Sequence, residues 1–354
     1  MPLAFDHHTS PQRIVFRTGG AREALSHEVA GMGAERVMLI ASVRDEARAR
    51  DVASGVPLAL IDTGVTPHVP VERGTEATAA AIARRVDLIV AFGGGSAVGL
   101  AKFVARETGI PIIAVPTTYA GSEATSVWGQ TTAGIKTTGV DDRVLPRMVI
   151  YDAEFTLSLP LELTVSSGMN ALAHGVDAMW APKTDPIART FAEEGIRALA
   201  ASLPVLVNSR ADIDARELCL YGAYMSAAAF ATTGSGLHHK ICHVLGGRFD
   251  LPHAQTHTSV LPHVLAFNAT AAPEADARIA RALDAPTALE GLERLYDAVD
   301  APRALSTYGY TAAQIAESVG LIVPSVPASN PRPVTADDLE RVLTAALHGR
   351  PPLR

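Results

Sequence analysis

The amino-acid sequence predicts an α/β domain built on a parallel sheet, followed by an all-helical domain. Two observations indicate this organisation. In the first half, short apolar runs alternate with helical patterns, which is typical of a parallel sheet covered on both faces. From Leu161 onward the strand patterns fade and helical periodicity takes over. We therefore predict an α/β domain over residues 1–156 and a helical domain over residues 157–354.

The first domain is expected to contain four buried strands that alternate with four helices. In chain order, the predicted elements are a helix at 21–32, a strand at 37–41, a helix at 43–53, a strand at 58–61, a helix at 71–84, a strand at 88–91, a helix at 96–108 and a strand at 112–115. A hairpin is predicted over residues 127–138. In open parallel sheets, ligands bind at the carboxyl ends of the strands, so the turns after these strands are candidate binding sites.

The second domain is expected to begin with a helix near Leu161. Further helices are predicted at 185–202, 214–231, 237–245, 262–271, 274–283, 287–299 and 335–348, with a proline-rich loop at 324–333. Gly246 and Gly247 are expected to end the helix at 237–245. Leu251 and Pro252 are then expected to form an extended entry into His253.

A glycine-rich turn follows the strand at 88–91 and leads into a helix. It is formed by Gly93, Gly94, Gly95 and Ser96. Glycines let the backbone approach a ligand closely, and the start of a helix offers free N–H groups to a phosphate. The pattern is not GxGxxG, because Val98 stands three residues after Gly95. A tight turn without a ligand therefore stays open as an alternative.

A hydroxyl-rich turn follows the strand at 112–115, at the same predicted edge of the sheet. Thr117, Thr118 and Ser122 are candidates to bind a pyrophosphate or ribose, or else they cap the next segment. Ser42, after the strand at 37–41, replaces the acidic residue that would hold a ribose 2′-hydroxyl. The sequence thus predicts a nucleotide site and leaves both NADH and NADPH open, with Lys136 of the hairpin nearby.

Histidines are concentrated in residues 236–257, which we interpret as the reaction centre. They are His238, His239, His243, His253 and His257. His239 and His243 are four residues apart and share a helix face, as do Asn170 and His174 in a second predicted helix. Imidazoles either bind metals or move protons near neutral pH. For any single position, a satisfied core or surface histidine is the alternative.

Composition limits the classes of partner. The formal net charge is −7 and no basic run offsets it, which argues against nucleic acid or an anionic membrane as a partner. Cys219 and Cys242 are the two cysteines, so a disulfide framework is excluded and a reducing compartment is favoured. The N-terminus carries no signal-peptide pattern and no apolar run reaches membrane-spanning length. We expect a cytoplasmic enzyme.

These motifs together resemble the iron-containing alcohol dehydrogenase family, which has a dehydroquinate synthase-like fold. The family's GGGS and TTxxGSE turns match residues 93–96 and 117–123, and its DxxxH pair falls on Asn170 and His174. Its HxxxH pair, with PH ten residues on, falls on His239, His243 and His253. The resemblance implies a homodimer in which His174, His239 and His253 are the metal ligands, if a metal is bound, and His243 lies near the nicotinamide.

Two departures from the family pattern look like its maleylacetate reductase branch. The aspartate ligand is Asn170, and the aspartate expected after the GGGS turn is Gly99. Members of that branch reduce the carbon–carbon double bond of maleylacetate to 3-oxoadipate with NADH or NADPH. Asn170 lacks the anion that helps to hold a divalent cation, so we expect no functional metal, although three neutral histidines are able to bind Zn²⁺.

The implied reaction assigns roles to the candidate residues. Hydride adds to the carbon beta to the ketone, and an enolate forms that hydrogen-bond donors stabilise. We expect His243 to be the general acid and His174, His239 and His253 to donate to substrate oxygens. Lys240 is expected to bind one carboxylate, and Arg248 or Lys136 the other. Asn170, Tyr119 and His257 complete the predicted substrate site.

Three other interpretations stay open at this point. The first is a dehydrogenase with Fe²⁺ or Zn²⁺ on the three histidines. The second is a lyase of the dehydroquinate synthase type, which uses NAD without net redox change, although the basic residues for a phosphorylated substrate are not apparent. The third is a binding module without catalysis, which would not need so many convergent histidines.

Overall fold

The computed structural model describes residues 4–132 and 135–352, without the side chains of residues 135 and 136. It divides into two units: Ser10–Leu159, and Pro160–Arg354 together with Met1–Thr9. The division falls three residues after the predicted boundary. The segment before Ser10 groups with the helical unit because His7 Nδ1 lies 2.8 Å from Asp185 Oδ2, where the second long helix of that unit begins.

The first unit is organised on a six-stranded parallel sheet with strand order β1-β8-β5-β4-β2-β3. Its strands are β1 Arg13–Phe16, β2 Val37–Ile40, β3 Leu58–Asp62, β4 Leu88–Gly93, β5 Ile112–Pro116 and β8 Met148–Tyr151. Its helices are α1 Ala21–Gly31, α2 Glu46–Val52, α3 Val71–Ala83 and α4 Gly95–Thr108. A separate antiparallel hairpin pairs β6 Val127–Thr132 with β7 Ile135–Val140.

The predicted parallel sheet is confirmed, and two strands extend it beyond the prediction. Every residue of β2, β4, β5 and β8 is buried, as expected for strands covered on both faces. β1 and β8 were not predicted. β1 lies at the edge of the sheet and none of its residues is buried, so it lacks the long apolar run of a central strand. The helix predicted at 43–53 begins three residues later, because Ser42 Oγ donates to Asp45 Oδ2 and forms a turn before it.

The second unit is entirely helical within its described residues. Its helices are α5 Leu161–Ala178, α6 Pro186–Asn208, α7 Ile213–Thr233, α8 Leu237–Phe249, α9 His253–Ala269, α10 Pro273–Ala282, α11 Ala288–Val299, α12 Ile315–Ile322 and α13 Ala336–His348. Small residues let α5, α6 and α7 approach closely: a Cβ at Gly195 would lie 2.3 Å from Ser226 Oγ. No helix in the described part of the chain is long and apolar enough to cross a bilayer.

The prediction that Gly246 and Gly247 end α8 is wrong. The helix continues to Phe249 and ends at Asp250, whose φ of 54° is left-handed. A glycine inside a helix costs about 1 kcal/mol relative to alanine, and the packing of α8 offsets that cost. Leu245 is fully buried in a core cluster next to this pair, and Gly246 is itself buried.

The prediction that a helix starts at residue 262 is also wrong, because α9 already begins at His253 and runs through Pro262. A proline inside a helix cannot donate to the carbonyl four residues earlier, which here is that of Thr258. The hydroxyl of Tyr296 donates to this carbonyl oxygen at 2.5 Å. The missing backbone hydrogen bond is thus replaced by a side chain 38 residues away in the sequence.

Candidate active site

Three helices of the second unit bring five of the predicted histidines together. His174 comes from α5, His239 and His243 from α8, and His253 and His257 from α9. Ring centroids are 5.1 Å apart for His174 and His239, 4.8 Å for His239 and His257, and 4.4 Å for His253 and His257. His243 lies 5.8 Å from His239. The histidine-rich segment therefore forms one cluster, as the helical spacing predicted.

Exposure increases across this histidine cluster. His174, His239 and His257 are buried, His243 is half-buried and His253 is exposed at the first residue of α9. A ligand therefore reaches the cluster from the side of His253 and His243, while the buried rings form its inner wall. A half-buried imidazole can touch a bound ligand and still exchange protons with water, which suits a general acid.

Burial keeps the inner imidazoles neutral. It lowers the pKa of His174 from 6.5 to about 4, and that of His238 to about 3. Burial also lowers the pKa values of His239 and His257 well below the ordinary value, and neighbouring imidazoles add to both shifts. Phe230 contributes to this desolvation, since its ring centroid lies 4.2 Å from that of His239. These histidines act as single hydrogen-bond donors and single acceptors at neutral pH.

His239 is oriented by a buried carboxylate that was not predicted. Its Nδ1 lies 2.7 Å from Oδ2 of Asp177, near the C-terminal end of α5. The ring proton is therefore on Nδ1, and Nε2 presents a lone pair that has no partner among the described residues. The prediction that His239 donates to a substrate oxygen is accordingly revised: a neutral His239 accepts a hydrogen bond or binds a metal.

The Asp177 carboxylate lies in a cradle formed by the start of α8. Backbone N–H groups of Gly236, His238 and His239 donate to it at 2.8, 3.3 and 3.4 Å, and the Trp180 indole donates at 3.3 Å. Burial raises the pKa of this carboxyl overall, and His238 and the backbone N–H groups oppose that rise. Because these neighbours can only donate, they stabilise the anion. Gly236 is required here, since a Cβ would lie 2.5 Å from Asp177 Oδ1.

His257 is oriented by His238, which lies behind it in the core. His238 Nε2 and His257 Nδ1 are 2.9 Å apart, and both side chains are fully buried. His238 Nδ1 has no partner in the described chain. Either assignment of the shared proton leaves one buried N–H group without a partner among the described residues, on His238 Nδ1 or on His257 Nε2. We assign the shared proton to His238 Nε2, which donates to His257, because His257 lies beside the exposed His253, where a ligand can accept its Nε2–H. The neutral His257 then carries its own proton on Nε2, as a donor towards the cluster.

The remaining substrate candidates are distributed unevenly. Asn170 is buried on α5 one turn before His174, and Lys240 is half-buried on α8, close enough for its charge to lower the pKa of His239. Arg248 is exposed at the end of α8 and its Nε donates to Glu317 at 2.6 Å. We therefore do not retain Arg248 as a carboxylate ligand. Tyr119 is fully buried in the first unit.

The donor set of the cluster fits a metal only in part. His174 Nδ1 and His239 Nε2 are buried and have no hydrogen-bond partner among the described residues. The Asp177–His239 pair is the arrangement that orients imidazole ligands in zinc sites. Asn170 contributes no charge where a carboxylate ligand would stand. His174, His239 and His253 would thus hold Zn²⁺ or Fe²⁺ as neutral ligands, as three histidines do in some zinc enzymes.

In the first unit, the two predicted nucleotide-binding turns touch each other. The N–H group of Thr117 donates to the carbonyl oxygen of Gly93 at 3.2 Å. A Cβ at Gly94 would lie 2.8 Å from Thr118 Cγ2, so the glycine allows this contact. Gly93 has a φ of 146°, which favours glycine. Gly95 and Ser96 begin α4, whose free N–H groups point to the same edge of the sheet.

A buried lysine of α4, which was not among the predicted site residues, fixes the hydroxyl-rich turn. Lys102 Nζ donates to the carbonyl oxygens of Ser122, Thr125 and Val127 at 2.7, 2.8 and 2.7 Å. Burial lowers the pKa of Lys102 to about 7, although the nearby Glu123 opposes this shift. Three carbonyl acceptors for three N–H groups favour the charged ammonium, so we describe Lys102 as protonated when the turn is formed.

Two further cofactor candidates are located as follows. Ser42 is half-buried at the end of β2, where its hydroxyl donates to Asp45 Oδ2 at 2.6 Å. It adds no negative charge of its own at this strand end. Lys136 belongs to β7, opposite Thr131, and its side chain lies outside the described residues.

Asp177 and Phe230 are site residues that the sequence did not indicate, and His238 was included in the histidine-rich segment without a role of its own. Asp177 stands three residues after His174, so helical spacing already placed both on one face of α5. His238 is adjacent to His239, but its role depends on α9 packing behind α8. Nothing in the sequence marks Phe230 as a site residue, because buried aromatic residues are common in helices.

Family models match both units of the chain. The model for "Iron-containing alcohol dehydrogenase" matches residues 11–153, and that for "Fe-containing alcohol dehydrogenase family, C-terminal" matches residues 164–347. Together these segments contain the two turns and all five clustered histidines.

Proteins similar to the chain over its full length include maleylacetate reductases and an iron-containing alcohol dehydrogenase. A maleylacetate reductase of Sphingobium indicum is 41% identical, with 99% of each chain covered. The crystal structure of an iron-containing alcohol dehydrogenase from Corynebacterium glutamicum is 54% identical, with a TM-score of 0.96 and 99% and 98% of the two chains covered. That of a maleylacetate reductase from Agrobacterium tumefaciens is 38% identical, with a TM-score of 0.93 and 99% and 100% covered.

Proposed function

The chain belongs to the iron-containing alcohol dehydrogenase family of oxidoreductases, and from that premise we propose that it reduces maleylacetate to 3-oxoadipate with NADH or NADPH. The observation that carries the proposal is the full-length similarity to maleylacetate reductases, at about 40% identity. This places the reaction in the breakdown of aromatic compounds. The family resemblance further supports a homodimer, which light scattering on the purified protein tests.

The histidine cluster supports reduction of a conjugated double bond. Bound NADH or NADPH supplies the hydride, and the turns at residues 93–96 and 117–122 would hold its phosphates. The carbon beta to the ketone receives the hydride, and negative charge moves to the ketone oxygen. The Nε2–H group of His257 is a neutral donor for that oxygen, which needs hydrogen bonds rather than a full charge.

His243 is the proposed general acid. It is half-buried, and its ring centroid lies 5.8 Å from that of His239 and 6.4 Å from that of His257, so it flanks both inner rings while keeping access to water. In the proposed step it protonates the alpha carbon of the enolate and is reprotonated from solvent. Lys240 is the proposed partner of one substrate carboxylate, with Asn170 as a neutral neighbour and His253 at the exposed side.

The decisive experiment mixes metal-free protein with maleylacetate and follows the NADH or NADPH absorbance band. We expect a stoichiometric fall, and no fall under any metal condition would contradict the proposal. His243→Ala should lower kcat by about 10²–10⁴-fold while NADH binding is nearly unchanged. His27→Ala, an exposed histidine of α1, is the matched control and should keep full activity.

A metal-dependent alcohol dehydrogenase is the second candidate, and the Asp177–His239 pair favours it. This pair orients a bare imidazole nitrogen, as metal sites require. Metal analysis and activity measurements after chelation separate the two functions. Full activity towards maleylacetate without bound metal excludes the second candidate. The stoichiometric loss of NADH absorbance likewise excludes a lyase that uses NAD without net redox change.

A further inference from the structure

A second group of metal-binding atoms adjoins the histidine cluster and shares His257 with it. His238 and Cys242 stand four residues apart on α8, and His257 faces them from α9. One ligand atom from each of these three residues lies within 4.8 Å of the others, and all three side chains are buried. We name His238, Cys242 and His257 the thiol–imidazole site. It shares no residue with His174, His239 and His253, the set that the family resemblance implies.

The distances in the thiol–imidazole site are close to those of a tetrahedral zinc centre. His238 Nε2 lies 2.9 Å from His257 Nδ1 and 3.8 Å from Cys242 Sγ. Zinc bonds of about 2.0 Å to nitrogen and about 2.3 Å to sulfur place tetrahedral ligands roughly 3.3 Å (N to N) and 3.6 Å (N to S) apart. Each of these two separations needs to change by only a few tenths of an ångström, and the ligand atoms of His257 and Cys242 lie within 4.8 Å of each other.

The chemistry of the donors selects the kind of cation. A thiolate with two imidazoles suits Zn²⁺ and Co²⁺, whereas Mg²⁺ and Ca²⁺ require oxygen ligands. Burial keeps both histidines neutral, so their lone pairs are available. Burial also raises the pKa of the Cys242 thiol, and a bound dication reverses this because it stabilises the thiolate.

Binding of one cation to the thiol–imidazole site releases one proton. In the metal-free state one proton lies between His238 Nε2 and His257 Nδ1. When a cation takes its place, that proton moves to His238 Nδ1, and His257 keeps the proton on Nε2. Cys242 releases its thiol proton to solvent, so one proton leaves per cation bound. No electron is transferred.

We propose that His238, Cys242 and His257 form a second metal site, which takes a thiophilic or borderline divalent cation such as Zn²⁺. His238 Nδ1 would then carry a proton without a partner among the described residues, which weakens the site relative to zinc sites with a complete outer shell. We therefore expect reversible occupancy that follows the zinc supply, in contrast to a permanent structural ion. This goes beyond the proposed function and does not depend on which substrate is reduced.

Co²⁺ titration of the metal-free protein tests the site directly. A thiolate ligand gives an intense sulfur-to-cobalt charge-transfer band in the near ultraviolet, whereas a site built only from histidines does not. We expect this band to appear with one Co²⁺ per chain and to be removed by Zn²⁺. Cys242→Ser should abolish the band. Cys219→Ser, which changes the other buried cysteine, should retain it.

His174→Ala separates the two possible metal sites. This substitution removes a ligand of the family's site and leaves the thiol–imidazole site complete, so the band should persist. His257→Gln should weaken Co²⁺ binding by about tenfold or more, and circular dichroism checks that each variant is folded. The proposal would be overturned if the protein did not bind Co²⁺ or bound it without the charge-transfer band. It would also be overturned if the band survived in Cys242→Ser.

Discussion

The five hydrogen bonds accepted by the Asp177 carboxylate are the most consequential interactions that the structure reveals, and Asp177→Asn tests them. The substitution keeps the shape of the side chain and removes its charge. In the native chain three backbone N–H groups, one indole and one imidazole all donate to the two carboxylate oxygens. An amide has one oxygen and one NH₂ group, so it cannot accept from all five donors.

The expected loss of stability follows from the donors that are left without an acceptor. The amide is best placed with its oxygen at the position of Oδ2, which keeps the three donors there, including His239 Nδ1. Its NH₂ group then faces the N–H groups of His238 and Trp180. Each buried donor without a partner costs about 1–3 kcal/mol. Asp177→Asn should therefore lower the free energy of unfolding by about 2–6 kcal/mol, a large part of an ordinary domain's about 5–15 kcal/mol.

Urea unfolding followed by circular dichroism measures this change. Glu162→Gln is the matched control, because it makes the same exchange on α5 at an exposed position, and it should change stability by less than about 0.5 kcal/mol. A native-like stability of Asp177→Asn would refute the assignment of an anionic carboxylate with five donors.

Three further predictions concern pH and the nucleotide-binding turns. The pKa values of His174 and His238, about 4 and about 3, lie below the 6.5 of the unfolded chain. The unfolded chain thus binds more protons below pH 6.5. Between pH 7 and pH 5.5 these two residues alone should lower the free energy of unfolding by about 2–3 kcal/mol, and His239 and His257 should lower it further; a flat profile would contradict their burial as neutral rings. Lys102→Met leaves three carbonyl oxygens without their donor and should weaken NADH binding about tenfold or more in fluorescence titrations. The control Lys183→Met changes an exposed lysine and should leave NADH binding unchanged. Gly94→Ala drives a Cβ to 2.8 Å from Thr118 Cγ2 and should weaken NADH binding more than Gly95→Ala, whose Cβ meets Ala120 Cβ at 3.6 Å; equal effects would show that the contact between the turns does not matter.

The parts of the fold that the sequence predicted are those governed by local patterns. Continuous apolar runs identify β4 and β5, because both faces of these strands are covered. An amphipathic helix has one covered face and does not require such a continuous run. The start of α9 was not predictable in the same way. Whether Pro262 begins or interrupts a helix depends on Tyr296, which satisfies the Thr258 carbonyl from a distant helix. Propensity alone favoured the wrong start.

The same distinction applies to the site. His239 and His243 were found from their spacing, because a separation of four residues places two side chains on one helix face. The proton positions were not readable, because they depend on contacts between helices. Asp177 fixes the tautomer of His239 from α5, and His238 fixes that of His257 across the α8–α9 contact. The sequence identified the imidazoles, and only the packing indicates which nitrogen donates.

The charge balance of the pocket explains why a neutral residue at position 170 suits a dianionic substrate. Asp177 is the anion nearest the cluster, and the donors at the start of α8 neutralise much of its field. A second carboxylate at position 170, one turn from His174, would balance a bound dication. Without a metal it would repel a substrate carboxylate about 4 Å away by about 4 kcal/mol at an effective dielectric constant of 20. With Asn170 that repulsion is absent, and the attraction of Lys240 is not opposed. Asparagine in place of a carboxylate at position 170 therefore weakens metal binding and, in a pocket without metal, favours a dicarboxylate.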